Sequence, residues 1–276
     1  TLTPPSSENE AYISPILKID GKEISKEMVS IAYDHIPAQT ALLPNETKVV
    51  RLNIEKAGEN IGYIMGAGDE VPTSLRQIGY NVQLIDPTTI TSASLAKFDA
   101  VVLGIRAYNV LDELKFKQKF ILDYAKNGGT VIVQYNTAGR WADQFENIAP
   151  FELEVSRDRV TDENSEVKII APEHSLVNFP NKIEQGDFKG WVQERGLYFP
   201  NAWGPEFTPI LEMKDKGEDP SIGSLLIAPY GKGYYIYTGL SFFRELPVGV
   251  PGAYKLFSNM LSVGKEKMEA KELIKG

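Results

Sequence analysis

The chain has 276 residues, 42% hydrophobic and 24% charged, with 37 acidic against 29 basic side chains and a net charge of −8. That length suits one large α/β domain, or one domain with a smaller appendage, and the charge argues against a general nucleic-acid binder or a partner of anionic membranes while leaving room for a local basic pocket. Cysteine is absent, which excludes a disulfide, a thiolate nucleophile and a cysteine-ligated metal. No apolar run reaches the roughly 20 residues that span a bilayer.

The opening TLTPPSSENE is polar and Pro/Ser-rich and reads as a linker. The chain starts at Thr1 rather than Met and shows no signal peptide, which reads as a fragment or processed product with more coding sequence upstream. Three β-like runs follow, AYISPILKID, EMVSIAYDHI and KVVRLNI, the first two joined by the hairpin signal Asp20-Gly21. Pro37 and Pro44 interrupt the region between the second and third. These strands are too few for a stable sheet of their own. They either pack on the main domain or finish an upstream β-sandwich, which makes residues 1–58 a linker and β-strand segment.

From Ile61 the pattern changes. The strand IGYIM runs through GAGDE into a predicted helix over Val71–Ile78, and NVQLI is the second strand. After Pro87 a short helix, SASLAKF, leads to the strand DAVVLGI. Leu114, Phe120, Ile121 and Tyr124 recur at helical spacing, with Gly128 near the C-cap. TVIVQY is the fourth strand. The segment 151–214 is an irregular β-rich insertion, with strand-like FELEV, EVKII, LYF and PILEM. SLLIAPYGKGYYIYTGL reads as a hairpin, GAYKLFSNML as the last amphipathic helix, and 265–276 as a charged tail. Strands alternating with helices over 59–264 imply right-handed crossovers and a mostly parallel sheet flanked by helices.

In open parallel sheets, ligands bind beyond the carboxyl ends of the strands. That rule names four loops: Gly66 to Glu70, Arg106-Ala107-Tyr108-Asn109, Gln134-Tyr135-Asn136, and Ser241 to Glu245. GAGDEVP lacks the third glycine of a dinucleotide fingerprint and the Gly-Lys-Ser/Thr of a P-loop, and Asp69 and Glu70 would repel a phosphate. It reads better as a turn whose acidic residues complement a helix N-terminus. His35 and His174 have no second histidine nearby, so structural or surface roles are favoured over zinc. Arg106, Arg157, Arg159, Arg195 and Arg244 suit carboxylate or phosphate binding. Salt bridges with Asp158, Glu194 and Glu245 are the plainer account of them. Trp191, Tyr198, Phe199, Trp203 and Phe207 either pack a core or seam, or offer flat ring faces to a sugar.

The order of these loops, with FDAVVLGIRAYN, NGGTVIVQYN and YGKGYYIYTGLSFFRELP, resembles the class I glutamine amidotransferase-like, flavodoxin-like fold. IGYIMGAGDEVPTSLRQIGYNV, SRDRVTDE, GWVQERGLYF and TGLSFFRELPVGVPGAYKLF resemble, more closely, the C-terminal region of large bacterial PIG-L (LmbE-like) deacetylases, and YDHIPAQT matches the segment leading into it. The resemblance covers nearly the whole chain. Amidotransferases carry a cysteine in a Gly-x-Cys-x-Gly elbow. The resemblance puts Tyr135 in that slot, Val133 and Thr137 in place of the glycines, and Leu240-Ser241-Phe242 where the histidine is expected. A phenol with a pKa of about 10 is a poor nucleophile without activation. The resemblance thus implies a degenerate active site with no catalytic residue and no cofactor in this fragment. Zinc is expected only in an upstream deacetylase domain of the same chain, acting on N-acetylated sugars and exported in the full-length protein.

The leading expectation is a non-catalytic companion domain binding a glycan, a small anionic ligand or another domain. Its site residues would come from Asp69, Glu70, Arg106, Tyr108, Asn109, Gln134, Tyr135, Asn136, Arg157, Arg159, Arg195 and Arg244. One alternative is a hydrolase rebuilt around Tyr135 or Ser241, with Glu245, Asp69 or Glu70 as base. Another is a purely structural domain.

Overall fold

A computed structural model of the chain describes residues 3–138 and 148–265. Trp141 and the charged tail from 266 lie outside them. The chain divides into two compact units, Thr1–Asn53 and Ile54–Gly276.

The first unit holds six short strands: β1 (Asn9–Ile13), β2 (Leu17–Ile19), β3 (Lys22–Ile24), β4 (Lys26–Ile31), β5 (Gln39–Pro44) and β6 (Thr47–Arg51). They pair antiparallel as β1–β6, β2–β3 and β4–β5. The polar start is therefore extended structure from Asn9. Asp20 and Gly21 take left-handed backbone (φ 48° and 73°), as the tight hairpin turn requires. That turn closes the small β2–β3 hairpin and does not join the two longer runs; β4 pairs with β5 instead. Pro44 ends β5 without breaking it, because in a two-stranded sheet every strand is an edge. None of the described residues through Asn53 is buried.

The second unit is built on a seven-stranded sheet. Its parallel part uses β7 (Asn60–Ile64), β8 (Asn81–Leu84), β9 (Ala100–Leu103) and β10 (Thr130–Gln134). The intervening helices are α1 (Val71–Gln77), α2 (Ser92–Leu95), α3 (Ala107–Val110) and α4 (Leu114–Lys126). The β-rich segment that follows has β11 (Leu153–Val160) paired with β13 (Gly196–Trp203). Within the same stretch, β12 (Val167–Ile169) pairs with β15 (Leu211–Met213), flanking β14 (Thr208–Pro209). The chain closes with β16 (Leu225–Tyr230), β17 (Gly233–Thr238), α5 (Phe242–Glu245) and α6 (Pro251–Ser262).

Sheet order is β14-β16-β17-β10-β9-β7-β8. The pairs from β8 through to β17 are parallel, and β16 and β14 add an antiparallel edge. The sheet is α/β and mostly parallel, with the strand order of a flavodoxin-like fold over its parallel part. β9 and β10 are buried at every position, as strands covered on both faces must be. In α4, Leu114, Ile121, Tyr124 and Ala125 are buried, and Phe120 packs on the same core.

α6 is an amphipathic helix as the spacing predicts, but it is covered on its polar side too: every residue from Gly252 to Ser262 except Lys255 is buried. Its polar side chains are satisfied internally. The Asn259 amide accepts from Asn181 N at 3.0 Å and donates to Leu176 O at 2.9 Å, and the Ser258 hydroxyl bonds Tyr80 OH at 2.8 Å. The β-rich segment thus covers the face of α6 that a simpler fold would leave in water. Among the described residues no helix is long and apolar enough to cross a membrane.

Strand order reverses between β7 and β9, and the loops leaving them touch. Ala67 N donates to Ile105 O at 2.8 Å. A side-chain carbon on Gly66 would stand 2.1 Å from Ile105 O and 2.8 Å from Ala107 N, both backbone atoms that cannot swing aside. Gly66→Ala should therefore destabilise the second unit by about 1–3 kcal/mol, the usual cost of overpacking. A thermal melt followed by circular dichroism should show Tm lowered by several degrees.

Candidate functional site

The strand ends are sealed by one carboxylate. Asp69 accepts from the Tyr63 hydroxyl at 2.7 and 2.8 Å, from Val71 N at 3.0 Å and from Ile105 N at 3.3 Å. Tyr63 OH in turn accepts from Gln134 Nε2 at 2.8 Å. This joins the ends of β7, β9 and β10. Burial raises the pKa of Asp69, opposed by the hydrogen bonds from Tyr63, Val71 and Ile105, and burial with the neighbouring Asp69 charge holds the Tyr63 phenol well above its usual range. Asp69 is thus committed to the scaffold, while Glu70 is exposed at the start of α1.

The loop after β10 is also stitched inward. Gln134 is fully buried, and the buried Asn136 accepts from Tyr108 N at 3.0 Å and donates to Gln134 O at 3.0 Å. Asn109 pairs with the backbone of Thr137, donating at 3.2 Å and accepting at 2.8 Å. Tyr108 is buried. Gln134, Asn136 and Tyr108 are closed to solvent, and the partly exposed Asn109 has its amide engaged at both ends.

Three predicted residues do converge. The Tyr135 ring stacks on Tyr198 at 5.8 Å and 10° and leans on Phe243 at 5.4 Å. The Arg244 guanidinium lies 4.8 Å above the Phe243 ring, pairs with Glu194 at 2.8 Å and bonds Gln193. Arg106 is exposed, and its N–H donates to Tyr135 O at 2.8 Å. Burial raises the pKa of the Tyr135 phenol, and the charges of Arg106 and Arg244 pull against it. The phenol stays protonated at neutral pH.

The backbone around this ring is strained. Arg106, Gln193 and Tyr198 take left-handed conformations (φ 57°, 67° and 54°). Each costs about 1–2 kcal/mol for a residue with a side chain. Tyr135 has no such φ, so the strained turn of a nucleophile elbow is missing and the strain sits on its neighbours. At Arg106 the left-handed turn brings the backbone N–H of the loop after β9 onto the first carbonyl beyond β10.

The other candidates lie elsewhere. Arg157 and Arg159 are exposed on β11, whose pairing shifts register between Val155 and Val160, and Arg159 pairs with Glu218 rather than Asp158. Arg195 is buried, donating to Ser165 O at 2.7 and 3.1 Å and to Phe188 O. Burial draws its pKa down to about 10, leaving it charged at neutral pH. Ser241 is fully buried, and its hydroxyl has no partner among the described residues. Glu245, also fully buried, accepts from Val192 N at 3.0 and 3.2 Å. His174 Nδ1 caps a short turn by accepting from Leu176 N at 3.0 Å, and His35 is exposed beside Tyr33. No group of three or more potential metal ligands occurs among the described residues.

Sequence reasoning missed Tyr63 and Gln193. A tyrosine inside an otherwise aliphatic strand was a usable signal, because a buried phenol needs a partner. Gln193 carried none.

No family model matches the chain, and no curated protein matches it. Among solved structures, a protein described as a GMP synthase subunit, from Thermoplasma acidophilum, is 11% identical with a TM-score of 0.50, over 79% of this chain and all of its own. A cytoplasmic protein from Salmonella typhimurium is 12% identical with a TM-score of 0.49, over 91% and 94%. A ThuA-like protein from Bacteroides uniformis is 16% identical with a TM-score of 0.43, over 78% and 96%. The second unit has a glutamine amidotransferase-like fold. In that frame Tyr135 directly follows β10, at the carboxyl end of the parallel strands.

Glu245 supplies a pH prediction. Burial pushes its pKa up to about 8, against the Val192 N–H and the charges of Arg195 and Arg244. A folded-state pKa above the unfolded value means that the folded state binds the proton more tightly. Stability is then fully present below the unfolded pKa of about 4.3 and is lost as pH rises toward 8, at up to about 1.4 kcal/mol per pH unit. Glu245→Gln should flatten the Tm–pH profile over that window.

Proposed function

We propose that the second unit is a binding module with no chemistry of its own, the companion of a PIG-L-type zinc deacetylase acting on N-acetylated sugars. The family part of this reading rests on the sequence motifs quoted above. The binding part is carried by one observation: Tyr135, in the nucleophile's place, is a buried phenol stacked on Tyr198 and kept protonated by burial against the pull of Arg106 and Arg244. The residues that could have activated it are committed elsewhere, Asp69 to the strand ends and Glu245 to Val192 N. Ser241 is closed to solvent.

A phenol ring flanked by Tyr198 and Phe243, with Arg106 and Arg244 beside it, suits a ligand joining an anionic group to a flat or partly apolar face. The guanidinium of Arg106 is exposed and that of Arg244 is already paired with Glu194, which makes Arg106 the anchor.

The test has two arms. The purified chain should not turn over glutamine, an activated acetate ester or N-acetylglucosamine above buffer. Glucuronate, titrated by ligand-observed NMR, should bind with an affinity that falls at least about tenfold in Arg106→Ala or Tyr135→Ala and is kept in Tyr135→Phe, since the ring rather than the hydroxyl supplies the platform. Turnover that vanishes in Tyr135→Phe would replace this reading with a hydrolase. Binding that ignores both alanine variants would remove the crevice from it.

A further inference from the structure

A second cavity lies on the β-rich segment. It has a volume of about 320 Å³ and opens between the β11–β13 ribbon and the loop Lys214–Gly223. That is within the range of small-molecule sites, from about 300 Å³ upward.

The walls are built rather than incidental. Met213 and Ser221 exchange backbone hydrogen bonds at 3.0 and 2.9 Å, closing the base of the loop. Within it, the Asp215 carboxylate accepts from Thr161 N, Thr161 Oγ1 and Asp162 N at 2.8–3.0 Å, tying the loop to the end of β11. Arg159 and Glu218 add an ion pair at 3.2 Å across the same gap. Gly223 lets the returning chain lie flat on β13: a side-chain carbon there would stand 2.1 Å from Pro200 O.

The lining selects a chemical class. Trp203 packs partly on the core and partly lines the cavity, with Ile222 as a second apolar contact. Around them stand Arg159 and Lys214 on one side of the charge balance and Asp158, Glu218 and Asp219 on the other. With three carboxylates against two cations, one of each already joined in the Arg159–Glu218 pair, the lining is close to balanced and sets no strong preference for a net charge. A neutral hydroxyl both donates and accepts, so it can use either kind of neighbour as well as the Asn201 amide and the Ser221 hydroxyl. A ring with an apolar face and hydroxyl edges fits an indole wall within a polar rim.

We propose that this cavity binds an uncharged, hydroxyl-rich ligand of about one or two sugar rings, seated against Trp203. It is separate from the Tyr135 crevice and does not depend on the reading given for that crevice.

Saturation-transfer NMR on the full chain tests it, with maltose and cellobiose as probes and glucuronate and glucosamine as charged counterparts. The neutral disaccharides should give saturable signals in the millimolar range. Asn201→Arg, which sends a long cation into the cavity from an exposed strand position, should weaken that binding at least about tenfold. Trp203→Phe, which keeps the packing but trims the wall, should weaken it severalfold, and Phe116→Ala, at an exposed position of α4, should leave it unchanged. No saturable signal, a signal that survives both cavity variants, or tighter binding of either charged sugar would overturn the proposal.

Discussion

The strand-end face of this molecule depends on the environment of Asp69. One carboxylate accepts from a tyrosine hydroxyl in β7, the first backbone N–H of α1 and the N–H of Ile105 beyond β9, and the same hydroxyl takes a donor from Gln134 at the end of β10. Hydrogen bonds to a charged group contribute more than neutral ones, about 1.5–3 kcal/mol, and the loss of a buried partner leaves the remaining groups unsatisfied. Burial works against the charge, and the three donors hold it in place. Three strands that separate in sequence by whole βα units are registered at their ends by this node.

This arrangement has a consequence for function. In an open α/β sheet the polar groups at the strand ends are the ones chemistry would use. Here most of them are engaged with one another. Asp69, Gln134, Asn136 and Asn109 all bond to scaffold atoms. What remains at this face is aromatic and cationic: Arg106 is exposed, Tyr198, Phe243 and Arg244 are partly exposed, and Tyr135 is buried against Tyr198 and Phe243. Among the described residues, the carboxylate whose charge reaches Tyr135 is Glu194, and it is paired with Arg244 at 2.8 Å.

Much of the fold was legible because buried parallel strands and their helices announce themselves. AVVL and TVIVQ are continuous apolar runs, and the spacing of Leu114, Ile121 and Tyr124 fixes the buried face of α4. Where the reading slipped, the missing information was tertiary. GAYKLFSNML reads as amphipathic because Lys255, Ser258 and Asn259 are polar, and only tertiary structure shows the partners that let Ser258 and Asn259 be buried, Tyr80 and Glu55 for the first, Asn181 and Leu176 for the second. Asp20-Gly21 is a correct turn signal, yet which strands it joins depends on β5, whose flanking prolines hide it. At the site, the sequence named the right loops without distinguishing the side chains that turn inward from those that do not. Gln134 ends β10 and Tyr135 follows it, yet both are buried, so the alternation of a strand could not tell them apart.

The strained residues point to what shapes the crevice. Arg106 is held by its bond to Tyr135 O, but Gln193 and Tyr198 belong to the β-rich segment and need support from the core. They receive it in a row: Val192 N on Glu245, Glu194 on Arg244, Ser241 N on Arg195 O, Leu197 N on Gly239 O, and Tyr237 OH on Tyr198 O. These contacts stitch Val192–Tyr198 along the end of β17 and α5, enough to offset two left-handed residues at about 1–2 kcal/mol each. The second wall of the crevice is therefore supplied by the inserted segment rather than by the parallel sheet. On the binding reading proposed above, a ligand would meet Tyr198 of that segment beside Arg106 of the sheet, so the geometry it meets would be set by how the segment is pinned. The amidotransferase-like sheet supplies the place, and the insertion supplies the shape.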